Sequence, residues 1–160
     1  MGTEELLRVV KEQNLVEHLS ERELNNPEGA GFDLRMGEVY KLTSGGKLGV
    51  TTRDTPEVEL VQKYNEESPS SITIKPGEYY LVKTVEKVNN PKHLFGLFVP
   101  RSTLFRSGLM LFTAAIDPGY YGELTFGLTN LGAHEFTIEL GARICQVFFF
   151  EVKGKTNEYR

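Results

Sequence analysis

The feature that most constrains this chain is a change of period. After about residue 31 the apolar residues stop recurring at helical spacing and begin to alternate in short runs. Ten such runs occupy 32–36, 39–42, 58–61, 71–74, 79–84, 94–99, 109–115, 123–130, 136–140 and 143–152. Between them stand Lys75-Pro76-Gly77, Asn89-Asn90-Pro91, Asp117-Pro118-Gly119 and Leu140-Gly141, residue types that set or free φ as tight turns require. Gly45-Gly46 and the polar stretch 64–70 read as exposed loops. Many short strands joined by turns predict a mainly β sandwich or jelly-roll.

Ahead of the strands, 3 to about 18 reads as a helix. Glu4 and Glu5 suit the positive end of its dipole, and Leu6, Leu7, Val9 and Val10 form an apolar stripe. Residues 20–31 are polar, contain Asn25-Asn26-Pro27 and read as a connection. The expected organisation is one domain over 1–160: a helix within 1–20, a β core over 29–152, and the start of a tail over 153–160.

Composition narrows the chemistry. With 160 residues, 39% of them apolar, the chain can bury one ordinary core. A net charge of −4 and no Lys/Arg-rich block argue against nucleic acid as a partner; an anionic small substrate would need local arginines and a cation. The single cysteine, Cys145, excludes an internal disulfide and a Cys-rich zinc site, and its apolar neighbours make it a packed thiol. The chain starts with charged residues, and no apolar stretch approaches the ~18 residues that span a bilayer, so a cytoplasmic protein with no membrane partner is expected. His18, His93 and His134 follow no ligand spacing. The zinc-deaminase, P-loop and Gly-x-Ser-x-Gly patterns are absent.

Four polar clusters interrupt the apolar pattern. In Gly29-Ala30-Gly31-Phe32-Asp33-Leu34-Arg35, Asp33 is either a turn aspartate capping nearby amides or a site residue. Pro100-Arg101-Ser102-Thr103-Leu104-Phe105-Arg106-Ser107-Gly108 combines guanidinium forks with hydroxyls, which suits phosphate oxygens, or else begins a short surface helix. In Ala114-Ala115-Ile116-Asp117-Pro118-Gly119-Tyr120, apolar neighbours predict a partly desolvated carboxylate fit to act as a base, and small alanines leave room for a flat ring. An ordinary Asp-Pro-Gly turn is the alternative. Gly141-Ala142-Arg143-Ile144-Cys145-Gln146 places Arg143 and Gln146 in a core-like strand, where they need partners as braces or as site residues.

Taken in order, the four clusters resemble the motifs of the trimeric dUTPase and dCTP deaminase superfamily, most closely those of its archaeal-type dUTPases. The match spans roughly 29 to 150 and rests on Gly31-Phe32-Asp33-Leu34, on Arg101-Ser102-Thr103-Leu104-Phe105-Arg106-Ser107-Gly108, on Ile116-Asp117-Pro118-Gly119-Tyr120-Tyr121-Gly122 and on Gly141-Ala142-Arg143-Ile144-Cys145-Gln146. The resemblance implies a distorted β-barrel or jelly-roll of the β-clip type with an N-terminal helix, assembled as a homotrimer with sites at subunit interfaces. It implies that Asp117 activates the water attacking the α-phosphorus and bonds the sugar 3′-hydroxyl, and that Tyr120 stacks under the deoxyribose. Ser102, Arg106 and Gln146 would contact phosphates, and Arg101 would hold the site's carboxylates. Asp33 would help position hydrated Mg²⁺, the expected cofactor, through water. Thr103 completes the substrate-binding set with Ala115, which lies in the hairpin 109–116 that reads the base largely through backbone groups.

Two departures shape the function that the resemblance implies. The zinc-free dCTP deaminases carry a catalytic glutamate ten positions beyond the motif's aspartate, and here that position is Gly127, which has no proton-transfer group. Glu123 lies four residues back, about 13 Å along an extended strand. Asn157-Glu158-Tyr159-Arg160 resembles only the beginning of the family's closing tail, and loss of a lid slows turnover more than binding. The expected reaction is hydrolysis of dUTP to dUMP and pyrophosphate. The alternatives are a dCTP deaminase, which Gly127 disfavours, and a nucleotide-binding or regulatory paralogue without turnover.

Overall fold

The computed structural model describes residues 1–157 and 159. Helix α1 (Thr3–Gln13) buries Leu6 and Val9 and carries Glu4 and Glu5 in its first turn and Lys11 in its last. It ends sooner than the pattern predicts. Asn14 turns left-handed at φ 53° and its amide donates to the Val10 carbonyl, closing the last turn. The chain then runs as β1 (Val16–Glu17), with Leu15 and Val16 buried and Val16 paired with Val88. The segment expected to be a connection also holds a helix, α2 (Glu21–Asn25), capped by the Ser20 hydroxyl, which accepts from the Glu23 amide.

The remaining strands are β2 (Gly31–Leu42), β3 (Lys47–Leu48), β4 (Arg53–Asp54), β5 (Val58–Lys63), β6 (Ser71–Ile74), β7 (Tyr79–Asn89), β8 (Leu94–Pro100), β9 (Leu109–Phe112), β10 (Tyr121–Asn130), β11 (Phe136–Glu139) and β12 (Arg143–Glu151). A short helix, α3 (Ser102–Arg106), follows β8. The main sheet is antiparallel in the order β8-β12-β2-β7-β10-β9, and it curls into a nearly closed six-strand barrel. The runs at 32–36 and 39–42 are one strand, because β2 shifts register against β7 at Gly37 without ending.

Closure comes from one bridge. Gly96 of β8 and Ile116, just beyond β9, exchange two backbone hydrogen bonds of 3.0 and 2.8 Å. A Cβ at Gly96 would sit 2.8 Å from the Ile116 side chain, so the seam needs glycine there. Inside, Phe32, Leu34, Met36, Val82, Leu128, Ile144, Val147 and Phe149 are at most 1% exposed, each contributing roughly 1.5–3 kcal/mol by its burial. Phe98 of β8 meets Phe126 of β10 edge-on across the barrel, with centroids 4.8 Å apart. Among the described residues no helix is long and apolar enough to cross a membrane.

Candidate functional site

The β2–β12–β8 register brings three of the four clusters together. Gln146 of β12 pairs with Asp33 of β2 on one side and with Val99 of β8 on the other. Arg101 follows at the end of β8, its amide tied to the Ile144 carbonyl at 3.0 Å. Asp33 is 3% exposed, and its Oδ2 accepts from Arg101 Nη1 at 2.5 Å and Arg143 Nη1 at 2.6 Å. Arg22 of α2 reaches the same oxygen at 3.5 Å.

Beneath lies Glu23, 1% exposed, whose carboxylate accepts from the Asp33 amide at 2.9 Å and pairs with Arg22. Arg22 also pairs with Glu28 at 3.1 Å, so three guanidiniums meet three carboxylates beside a depression of about 230 Å³ lined by Asp33, Val99, Pro100, Arg101, Ser102 and Gln146. Ser102, Thr103 and Arg106 stand exposed on α3, and Gln146 donates to the Glu28 carbonyl at 2.9 Å. A concave site that presents the Arg101 guanidinium, with exposed Arg106 and the Ser102 and Thr103 hydroxyls on the adjoining helix, can take a polyanion. Arg22 and Glu23 were not expected here. The Ser20-x-x-Glu23 spacing signals the helix that carries them, although Glu23 turns its carboxylate to Asp33 and not back to Ser20.

The third cluster forms a separate pocket of about 190 Å³, lined by Phe98, Ala114, Ala115, Ile116, Asp117 and Tyr120, among others. Here one expectation fails. Ile116 turns into the core at 1% exposed while Asp117 turns outward and is exposed, so apolar neighbours in sequence do not desolvate the carboxylate. Its backbone is fixed: the Asp117 carbonyl accepts from the Tyr120 amide at 3.1 Å and from Asn90 Nδ2 at 2.9 Å. Gly119 at φ 83° makes the turn. The Tyr120 hydroxyl donates to the Glu123 carbonyl at 2.6 Å, and burial, with Tyr159 and Glu123 adding, pushes its phenol up. Of the tail-like segment, Tyr159 meets Tyr120 edge-on at 5.1 Å, while Glu158 and Arg160 lie outside the described residues.

Among the described residues none lines both depressions, so the chain gathers Asp33, Arg101, Ser102 and Gln146 in one place and Ala115, Asp117 and Tyr120 in another. Gly127 is buried, and a Cβ there would lie 2.3 Å from the Tyr79 hydroxyl and 3.2 Å from the Phe112 ring. Glu123 also lines the Asp117 pocket, but its carboxylate is bonded to Lys83 at 2.7 Å, and that bond pulls its carboxyl below its ordinary value. Burial pushes the Cys145 thiol up, with Glu86 and Asp33 adding, which suits a packed thiol and not a nucleophile. Among the described residues no group of three or more His, Cys, Asp or Glu side chains could hold a metal ion.

Residues 1–152 match a family model described as dCTP deaminase-like. A probable deoxyuridine 5'-triphosphate nucleotidohydrolase of Methanothermobacter thermautotrophicus is 36% identical over 125 residues, 78% of this chain and 79% of that protein. A dCTP deaminase of Thermococcus kodakarensis is 32% identical over 153 residues, covering 94% and 85%. The crystal structure of 2'-deoxycytidine 5'-triphosphate deaminase from Agrobacterium tumefaciens superimposes with a TM-score of 0.70 at 16% identity, over 93% of this chain. This chain spans 45% of that one's length.

Proposed function

From the premise that the chain belongs to the dCTP deaminase-like family of nucleotide enzymes, we propose that it is a dUTP diphosphatase. Its relatives divide between dUTPases and dCTP deaminases, so the choice rests on residues. The observation that carries it is Gly127: the position lacks an acid or base, and the Tyr79 hydroxyl stands where a side chain would begin.

In this reading the Asp117 carboxylate takes a proton from the water that attacks the α-phosphorus, and dUMP and pyrophosphate leave. Tyr120 supports the sugar, and Ala115 with its neighbours leaves space for the base. Arg101, Ser102, Thr103, Arg106 and Gln146 receive the phosphates, where guanidiniums offset the charge that builds on the leaving oxygens. Asp33 and Glu23 hold the arginines in place.

The separation of the two depressions supports a homotrimer, in which the arginine depression of one copy would face the Asp117 pocket of the next. The family's dUTPases use Mg²⁺. The described residues form no cage for it, and Asp33 Oδ2 faces arginines. A divalent cation would therefore arrive on the triphosphate, reach Asp33 only through water, and supply charge shielding when bound. Incubation with dUTP, dCTP and Mg²⁺ tests the proposal. Pyrophosphate from dUTP is the expected product; dUTP or dUMP formed from dCTP would replace this reading with deamination, and binding without product would make the chain a nucleotide-binding paralogue.

A further inference from the structure

Asn90 lies between β7 and Pro91, outside all four clusters, and is wholly buried. Its main-chain amide donates to the Tyr120 carbonyl at 2.8 Å, and its carbonyl accepts from the Gly119 amide at 3.0 Å. Its Nδ2 donates to the Leu94 carbonyl at 2.9 Å and the Asp117 carbonyl at 2.9 Å, with the Ile116 carbonyl at 3.4 Å beside them. The 117–120 turn holds itself by one bond, Tyr120 amide to Asp117 carbonyl, and Pro118 has no N–H to add another. Most of its fixing therefore comes from outside, through one residue.

The side chain's orientation is set, because a flipped amide would point oxygen at three carbonyls. The remaining atom, Oδ1, is buried with no hydrogen-bond partner among the described residues. An unmet buried acceptor destabilises the fold by its lost hydration. An apolar side chain would carry no such cost, so the contribution of this amide lies in what its NH₂ holds.

We propose that Asn90 is a positioning residue that sets the place of Asp117 through the Asp117 carbonyl. The inference rests on Asp117 being the base of the proposed reaction. The main-chain bonds of Asn90 hold Gly119 and Tyr120, and of its groups only the side chain reaches Asp117, so the two functions separate by substitution. Asn90→Ala removes the NH₂ and keeps the main-chain bonds.

The expected result is a kcat for dUTP lower by roughly 10- to 100-fold, the scale of a 1 Å misplacement, with dUMP affinity changed less than about threefold. Hydrogen exchange at the Ile116, Gly119 and Tyr120 amides should quicken while Phe32 and Leu34 keep their protection. Asn90→Leu, similar in volume and without a donor, should behave alike. Unchanged exchange and unchanged kcat would overturn the proposal, as would a fall in melting temperature with kcat intact. If the native chain does not hydrolyse dUTP, the function reading fails, and exchange at 116–120 still decides for or against Asn90. If neither variant folds, the native protein decides: Asn90 side-chain amide protons exchanging as fast as those of exposed Asn65 would sink it.

Discussion

Asp33 and Asp117 stand at the centres of the two depressions, and the chain holds them by opposite means. Asp33 is buried and grips two guanidiniums with its carboxylate, with Arg22 close behind and Glu23 supporting its amide. Asp117 is held by its carbonyl, from Tyr120 and Asn90, and its carboxylate is exposed. One acid is fixed through its charge, the other through its backbone with the charge left available. In the proposed reaction, structure and chemistry are therefore carried by different aspartates, although both read as acids in turns or strands.

The sharpest way to break this contrast is Asp117→Asn. Turnover of dUTP should fall by about 10²- to 10⁴-fold, the usual contribution of a general base, with stability within about 0.5 kcal/mol of the native chain. Steady-state kinetics with urea unfolding checks both halves; a large loss of stability would mean that the carboxylate has partners after all. The opposite pattern is expected of Asp33→Ala. Removing a buried counter-ion costs about 3–5 kcal/mol, and here about 3, since Arg101 and Arg143 are about a third exposed. The fall in urea midpoint measures it, and a midpoint equal to the native value would show that the arginines find other partners.

The smallest effect concerns Glu86, wholly buried and bonded to Arg35 Nε at 2.7 Å. Burial outweighs the Arg35 bonds and raises its carboxyl above the ordinary 4.5. A raised carboxyl binds its proton more tightly in the folded chain. Its contribution to stability is therefore complete below about pH 4.5 and is lost as pH rises through the raised value. Glu86→Gln should flatten stability over that window in unfolding curves taken at several pH values; a slope equal to the native one would exclude Glu86 as its source.

Much of the barrel was legible because strand alternation is local: the runs at 71–74, 94–99, 123–130 and 143–152 lie within two residues of the strands at each end. What was not legible depends on distant partners. Glu23 sits in a polar segment, and only the Asp33 amide ten residues on explains its burial. Asn90 reads as part of an Asn-Asn-Pro turn, yet the carbonyls it serves come from β8 and from beyond β9. The apolar pattern extends the N-terminal helix too far because Leu15 and Val16 are apolar whether they continue a helix or start a strand. The exposure of Asp117 is hidden for a related reason, since neighbours in sequence need not share a face.

The Gly96–Ile116 bridge gives the barrel a seam. Where β8 meets β12, seven residue pairs share the load; where the sheet closes on itself, one backbone pair does, with the Asn90 amide beside it. Asp117 is the next residue along. A fluctuation that unzips this junction leaves the rest of the sheet intact and displaces the proposed base first. On heating, hydrolysis should therefore fade several degrees below the transition at which the sheet itself melts, so that thermal tolerance of the activity is decided at this junction, by the Gly96–Ile116 pair and the Asn90 amide beside it, and not by the core.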